Sequence, residues 1–184
     1  CTSINFSSVT VNALPTITVN QATVCSGSSV SLIASGASTY SWSNGSNTSS
    51  ISVAPTANLT YTVLGGINNC VSAITSSVTV NALPILSITG ATICAGNSAS
   101  LSVSGANTYT WSNASNSNIV SVTPSITTIY TVSGSSTLGC TATLTSAVNV
   151  NPTPNLSLPS LSICAGSSAT LLANGATTYS WSTG

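Results

Sequence analysis

The sequence predicts an all-β fold, a tandem array of small antiparallel β-sandwiches with one sandwich for every 69 or 70 residues. Three observations carry that expectation. Apolar residues alternate with polar ones at a period of two, the mark of half-buried strands, and no helical period occurs anywhere. Turn signals (Gly36, Asn44-Gly45, Pro55 and Gly65-Gly66) interrupt the alternation, at the spacing of about 8 to 12 residues expected of a sandwich. The third is internal repetition. Trp recurs at 42, 111 and 181, Pro at 15, 84 and 154, one set of Cys at 25, 94 and 164 and another at 1, 70 and 140; the phrase Val9-Thr10-Val11-Asn12-Ala13-Leu14-Pro15 returns as Val78 to Pro84.

The register of the repeat divides the chain into the last strand of a preceding unit (1–12), two complete units (13–81 and 82–151) and the first half of a further one (152–184). Both ends fall within a repeat, so the expectation is a window on a longer array. The alternative is a short subunit whose partial ends complete one another head to tail by strand donation. Taking 13–81 in order, Ile17 and Val19 mark the first strand. Val30, Leu32 and Ala34 mark the second, and the same places read Ala99, Leu101, Val103 and then Ala169, Leu171, Ala173. Tyr40 and Trp42 give the third, Ile51 and Val53 the fourth, Leu59, Tyr61 and Val63 the fifth, and Ile74, Val78 and Val80 the last, six strands in all. Units joined by only Ala82-Leu83-Pro84 should bend little, since Pro fixes one backbone angle and restricts its predecessor. A stiff rod is expected.

None of the 184 residues is Lys, Arg, Asp, Glu or His, while 39 are Ser, 29 Thr and 18 Asn and 42% are apolar. So large an apolar share is not that of a disordered tail. The absence of charge excludes whole classes of chemistry. Ser and Thr hydroxyls have no side-chain base to activate them, and five Tyr and six Cys have no acidic or basic neighbour to tune them. No enzyme is expected, no cofactor, and no metal held by His or carboxylate. Without Lys or Arg there is nothing to neutralise phosphates, so nucleic acid is not a partner. No run of 18 apolar residues is present to span a bilayer. No side chain titrates between roughly pH 2 and pH 8, so stability should be nearly flat over that range.

A unit of this size has a core of marginal stabilising power, and cross-links would help. The repeat symmetry leaves two disulfide schemes. In one, Cys25 pairs with Cys70 and Cys94 with Cys140, each within a unit; in the other, Cys1–Cys25, Cys70–Cys94 and Cys140–Cys164 bridge adjacent units. The first is preferred, because a strand, the Ala-Leu-Pro linker and another strand separate Cys70 from Cys94. Either implies an oxidising, extracytoplasmic compartment.

The phrases Ile93-Cys94-Ala95-Gly96, Thr108-Tyr109-Thr110-Trp111-Ser112, Ile129-Tyr130-Thr131-Val132 and Gly139-Cys140-Thr141-Ala142-Thr143 resemble the Ig-like and PKD-like repeats of giant surface proteins of Bacteroidota. The resemblance covers the whole chain. It implies small Ig-like sandwiches in a secreted adhesin of the type IX, gliding-motility kind, located at the cell surface, with these repeats as an extracellular stalk or filament. The order Cys25, Trp42, Cys70 also resembles the Cys, Trp, Cys order of immunoglobulin domains. Tyr61, however, precedes Cys70 by nine residues rather than two, which puts Cys70 at the start of the last strand.

Trp42, Tyr61, Trp111 and Tyr130 are the expected core aromatics; the competing reading makes Tyr40 and Trp42 a sugar-stacking platform, each unit then contributing one weak contact to a multivalent array. Neighbouring repeats are the expected partners. Sheet edges without charge lack the usual guard against pairing, so lateral self-association into fibres, or a coat of glycan on the hydroxyl-rich surface, is expected as well.

Overall fold

The computed structural model describes residue 5 and residues 7–182, and among them all regular structure is strand. The first repeat contains β1 (Thr18–Val19), β2 (Ala22–Cys25), β3 (Val30–Ser35), β4 (Thr39–Trp42), β5 (Ser50–Val53), β6 (Leu59–Ile67) and β7 (Cys70–Asn81). The second contains β8 (Ser87–Ile88), β9 (Ala91–Cys94), β10 (Ala99–Ser104), β11 (Thr108–Trp111), β12 (Ile119–Val122), β13 (Thr128–Ser135) and β14 (Thr141–Asn151). Two compact units result: unit 1 is residues 1–85 with the hairpin tip 135–142, and unit 2 is residues 86–134 with 143–184.

Each repeat forms a three-stranded sheet, ordered β1-β3-β5 or β12-β10-β8, and a four-stranded sheet, ordered β2-β7-β6-β4 or β11-β13-β14-β9. This is the Ig-like sandwich. β3, β4, β6 and β7, and their counterparts β10, β11, β13 and β14, distribute over the two sheets as in an immunoglobulin domain, with Trp42 or Trp111 buried on β4 or β11, the strand reached by the crossing from β3 or β10. The inward residues are those the alternation selected: Leu32 and Ala34 on β3, Ile51 and Val53 on β5, Tyr61 and Val63 on β6 and Val78 on β7 form one core, and Leu101, Val103, Val120, Val122, Val132 and Val148 with Trp111 form the other.

The structure has seven strands per repeat rather than six. The stretch that begins with Ile17 and Val19 is split, because the chain leaves β3 after β1, crosses to the other sheet, and continues as β2 parallel to β7. Asn20 makes that crossing without leaving β3 unpaired: its Oδ1 accepts from the Ile33 amide at 2.6 Å, its Nδ2 donates to the Ser31 carbonyl at 3.1 Å, and its own carbonyl accepts from the buried Ser76 hydroxyl at 2.5 Å. In the second repeat Thr89 does the same work toward Ser102. Gly36 is required where the β3–β4 turn meets the incoming chain. Its φ is +91°, and a Cβ there would lie 2.0 Å from the Thr16 carbonyl oxygen.

Residues 152–182 contain, among the described residues, one isolated bridge, Ser157 to Asn174, in place of the strand expected at Ala169, Leu171 and Ala173. Leu171 and Trp181 are about half exposed. Residues 152–184 include no counterparts of β5, β6 and β7, the strands against which β3 and β4 pair in the first repeat.

Candidate functional site

The feature that departs most from an ordinary small sandwich lies where β2 ends. The parallel pairing of β2 with β7 puts Cys25 opposite Asn81, at the far end of β7 from Cys70. The chain then turns tightly, with the Ser26 amide donating to the Asn81 carbonyl at 2.9 Å and the Ser28 amide to the Cys25 carbonyl at 2.9 Å. Against this turn sits the hairpin tip 135–142. Ser136 shapes the tip: its amide donates to the Cys140 carbonyl at 2.9 Å, its hydroxyl accepts from the Cys140 amide at 3.2 Å, and its carbonyl accepts from the Gly139 amide at 3.0 Å. Cys140 is thereby held fully buried, its Sγ 3.9 Å from the Asn81 carbonyl oxygen, and it is bonded to Cys25 with a Cα–Cα distance of 5.5 Å.

This bond corrects both pairing schemes drawn from the sequence. Cys25 does not pair with Cys70, nor Cys94 with Cys140; Cys70, Cys94 and Cys164 carry free thiols. The reason is the length of one strand. Cys70 opens β7 and Asn81 closes it, a run of 12 residues, so the two ends are about 36 Å apart at a rise of ~3.3 Å per residue. A disulfide needs Cα atoms within about 7 Å, so Cys25, beside Asn81, is out of reach of Cys70. Cys94, opposite Asn151, is separated in the same way from Cys140, which precedes β14. The scheme bridging adjacent units fails at Cys25 and Cys140, which are committed to each other; Cys1 lies outside the described residues.

Trp42 and Trp111 are each 2% exposed, and their indole N–H groups donate to the Thr48 and Ser117 carbonyls at 2.8 Å. Neither offers a face to a sugar. Tyr61 is buried and Tyr130 half-buried against the core of unit 2. Tyr40 and Tyr109 fold back on their own turns, each hydroxyl donating to a carbonyl three residues earlier, Ala37 or Ala106, and accepting from the same residue's amide. Val63, two residues after Tyr61, is fully buried on β6 and packs in the same core as the fully buried Leu32 of β3. Those two strands carry the inter-sheet disulfide in antibody domains. Here aliphatic contact replaces it, and the cystine has moved to the hairpin tip.

An open groove of about 750 Å³ in unit 2 runs along Tyr109, Thr110, Asn116 and Asn118, and a second of about 410 Å³ lies by Leu156, Leu171, Tyr179 and Trp181. Neither holds a charged or imidazole group, and among the described residues no cluster of three metal-ligating side chains exists. Among the described residues no helix is long and apolar enough to cross a membrane. The chemistry this arrangement performs is covalent closure.

No family model matches the chain, and no curated protein does. Among solved structures it is similar to the N-terminal four Ig domains of Dscam1 isoform 6.9, at 13% identity over 77% of this chain and 47% of that one, with a TM-score of 0.31. It is also similar to the Ig1-2 module of the Drosophila receptor protein tyrosine phosphatase DLAR, at 12% identity over 76% of this chain and 100% of that one, with a TM-score of 0.31. A Ca2+-stabilized adhesin of an Antarctic bacterium that binds ice is similar at 14% identity over 80% of this chain and 52% of that one, with a TM-score of 0.37. The chain spans about half the length of the Dscam1 fragment and of the adhesin. These values are low, and the Ig-like assignment rests on the strand order and the buried Trp.

Proposed function

We propose that this chain is a non-catalytic, tension-bearing repeat segment of a long extracellular surface protein, the stalk or filament of an adhesin whose binding is done elsewhere. The disulfide carries the proposal. Cys25 and Cys140 are 115 residues apart in sequence, so a pull along the chain passes from one sulfur to the other and bypasses residues 26–139. A secreted stalk needs that property and a soluble binding module does not. A persistent disulfide also supports an oxidising, extracytoplasmic location. The Bacteroidota-type repeat phrases support a type IX-secreted, gliding-motility kind of adhesin, and the short Pro linkers support a rod. Uncharged sheet edges at β2 and β4 and exposed apolar residues such as Ile33, Leu59 and Val71 support lateral association of such stalks or a covering of glycan.

Single-molecule extension of the chain, pulled from its two ends, tests the reading. Reduction should lengthen the fully stretched chain by about 400 Å, the 115 residue-to-residue steps from Cys25 to Cys140 at about 3.6 Å each. Equal contour lengths with and without reductant would remove the basis for a tension-bearing role.

A further inference from the structure

Cys25 and Cys94 occupy the same place in successive repeats, as do Cys70 and Cys140. The site around Cys94 is built as that around Cys25 is. Cys94 closes β9 opposite Asn151, the Ala95 amide donates to the Asn151 carbonyl at 2.9 Å, and the Asn97 amide donates to the Cys94 carbonyl at 3.1 Å. The occupant differs. Cys25 holds the tip cysteine of the following repeat, while the Cys94 thiol is exposed. Cys70 shows the other half of the same joint. It sits at the tip of the β6–β7 hairpin, and its thiol lies 3.7 Å from the Asn12 carbonyl oxygen, as the Cys140 sulfur lies 3.9 Å from that of Asn81. Asn12, Asn81 and Asn151 are equivalent residues of the repeat. In both hairpins the tip cysteine therefore rests on the segment that ends the repeat before it, β7 for Cys140 and the stretch through Asn12 for Cys70, beside the place where that repeat's β2-type cysteine belongs.

We propose that Cys25–Cys140 is one member of a repeating staple that joins the β2-type cysteine of each repeat to the hairpin-tip cysteine of the next, and that Cys94 is an open half whose partner is the tip cysteine of a further repeat of this type. Cys70 is the receiving half of the preceding staple. Formation of each bond removes two protons and two electrons from two thiols, and the oxidant is a donor disulfide. Cys94, being exposed, forms a mixed disulfide with the donor and releases its first thiol; the tip thiolate then attacks the Cys94 sulfur and displaces the second. Each staple spans 115 residues and each repeat 69 or 70, so successive loops overlap and tension passes from bond to bond along the whole array. The inference rests on the observed bond and the repeat register and stands apart from the adhesin reading.

The test inserts a second copy of residues 82–151 after Asn151, the copy carrying Cys94→Ser and Leu138→Val so that its tip peptide is distinguished by mass. Non-reducing peptide mapping after oxidation with glutathione disulfide should find Cys25–Cys140 retained and Cys94 bonded to the marked tip cysteine. Cys94 left alkylatable, or bonded to Cys70 or Cys140, would overturn the proposal. A second measurement uses the same extended chain with the marked tip cysteine also replaced by Ser. Cys94 should then be recovered alkylated while Cys25–Cys140 is retained. Cys94 bonded to any other cysteine in that variant would mean that the tip does not direct its pairing, and would overturn the proposal equally.

Discussion

Replacing the buried Cys140 by Ser should remove the whole stabilisation that its bond to Cys25 supplies. The bond closes a loop of 115 residues, and the chain-entropy relation gives about 16 cal/mol/K for a loop of that length, or roughly 5 kcal/mol at 25 °C. Spread over a chain of 184 residues, that loss corresponds to a fall in midpoint of roughly 10 to 20 °C. The assay is urea denaturation, followed by Trp emission, of the oxidised protein, Cys140→Ser, Cys25→Ser and the double variant. All three variants should lose the same amount, because either substitution opens the same loop, and the double-mutant cycle should return a coupling close to the full effect. Cys164→Ser, at an exposed free thiol, should change stability by less than about 0.5 kcal/mol. Single variants within about 1 kcal/mol of the parent, or a double variant that loses the sum of the two, would refute the reasoning.

Trp42→Ala and Trp111→Ala should each cost about 3 to 5 kcal/mol by leaving a cavity between the sheets, with the freed Thr48 or Ser117 carbonyl adding to the loss; chemical denaturation measures it. Gly36→Ala should be far worse than Gly27→Ala, although both glycines have positive φ, because a Cβ at Gly36 meets the Thr16 carbonyl while one at Gly27 meets nothing within 4 Å; the second should cost only about 1 kcal/mol. With no carboxylate or imidazole in the chain, folded and unfolded states bind the same number of side-chain protons between roughly pH 4.5 and pH 7, so the melting temperature should be flat there and indifferent to salt. A drop of many degrees across that range in thermal melts would contradict this.

The all-β Ig-like sandwich was legible because the alternation is strict where a strand buries one face: Leu32, Ala34, Ile51, Val53 and Val63 all point inward as their spacing requires. The split between β1 and β2 was not. Two-residue β1 and four-residue β2 are too short to carry a period, and what separates them is the hydrogen bonding of Asn20, one of 18 Asn in the chain. The disulfide was misread for a geometric reason. Sequence symmetry shows which cysteines are equivalent but says nothing of which end of β7 Cys25 sits beside, and the parallel pairing of β2 with β7 decides that. The length of β7 was available from the alternation of Ile74, Val78 and Val80, and with Cys70 at its start it already placed Cys70 and Asn81 at opposite ends. Nor did the spacing from Tyr61 to Cys70 show that Val63 fills the inner position on β6, since an aliphatic residue there looks like any other core residue.

The most direct test is peptide mapping of the native protein, alkylated before any reductant is added and cleaved with chymotrypsin. The account predicts a cross-linked pair containing Cys25 and Cys140, with Cys70 and Cys94 recovered as alkylated thiols wherever no further repeat supplies their partners. Recovery of Cys25–Cys70 together with Cys94–Cys140 would mean that each sandwich is closed on itself, and the path of tension through the hairpin tip would not exist.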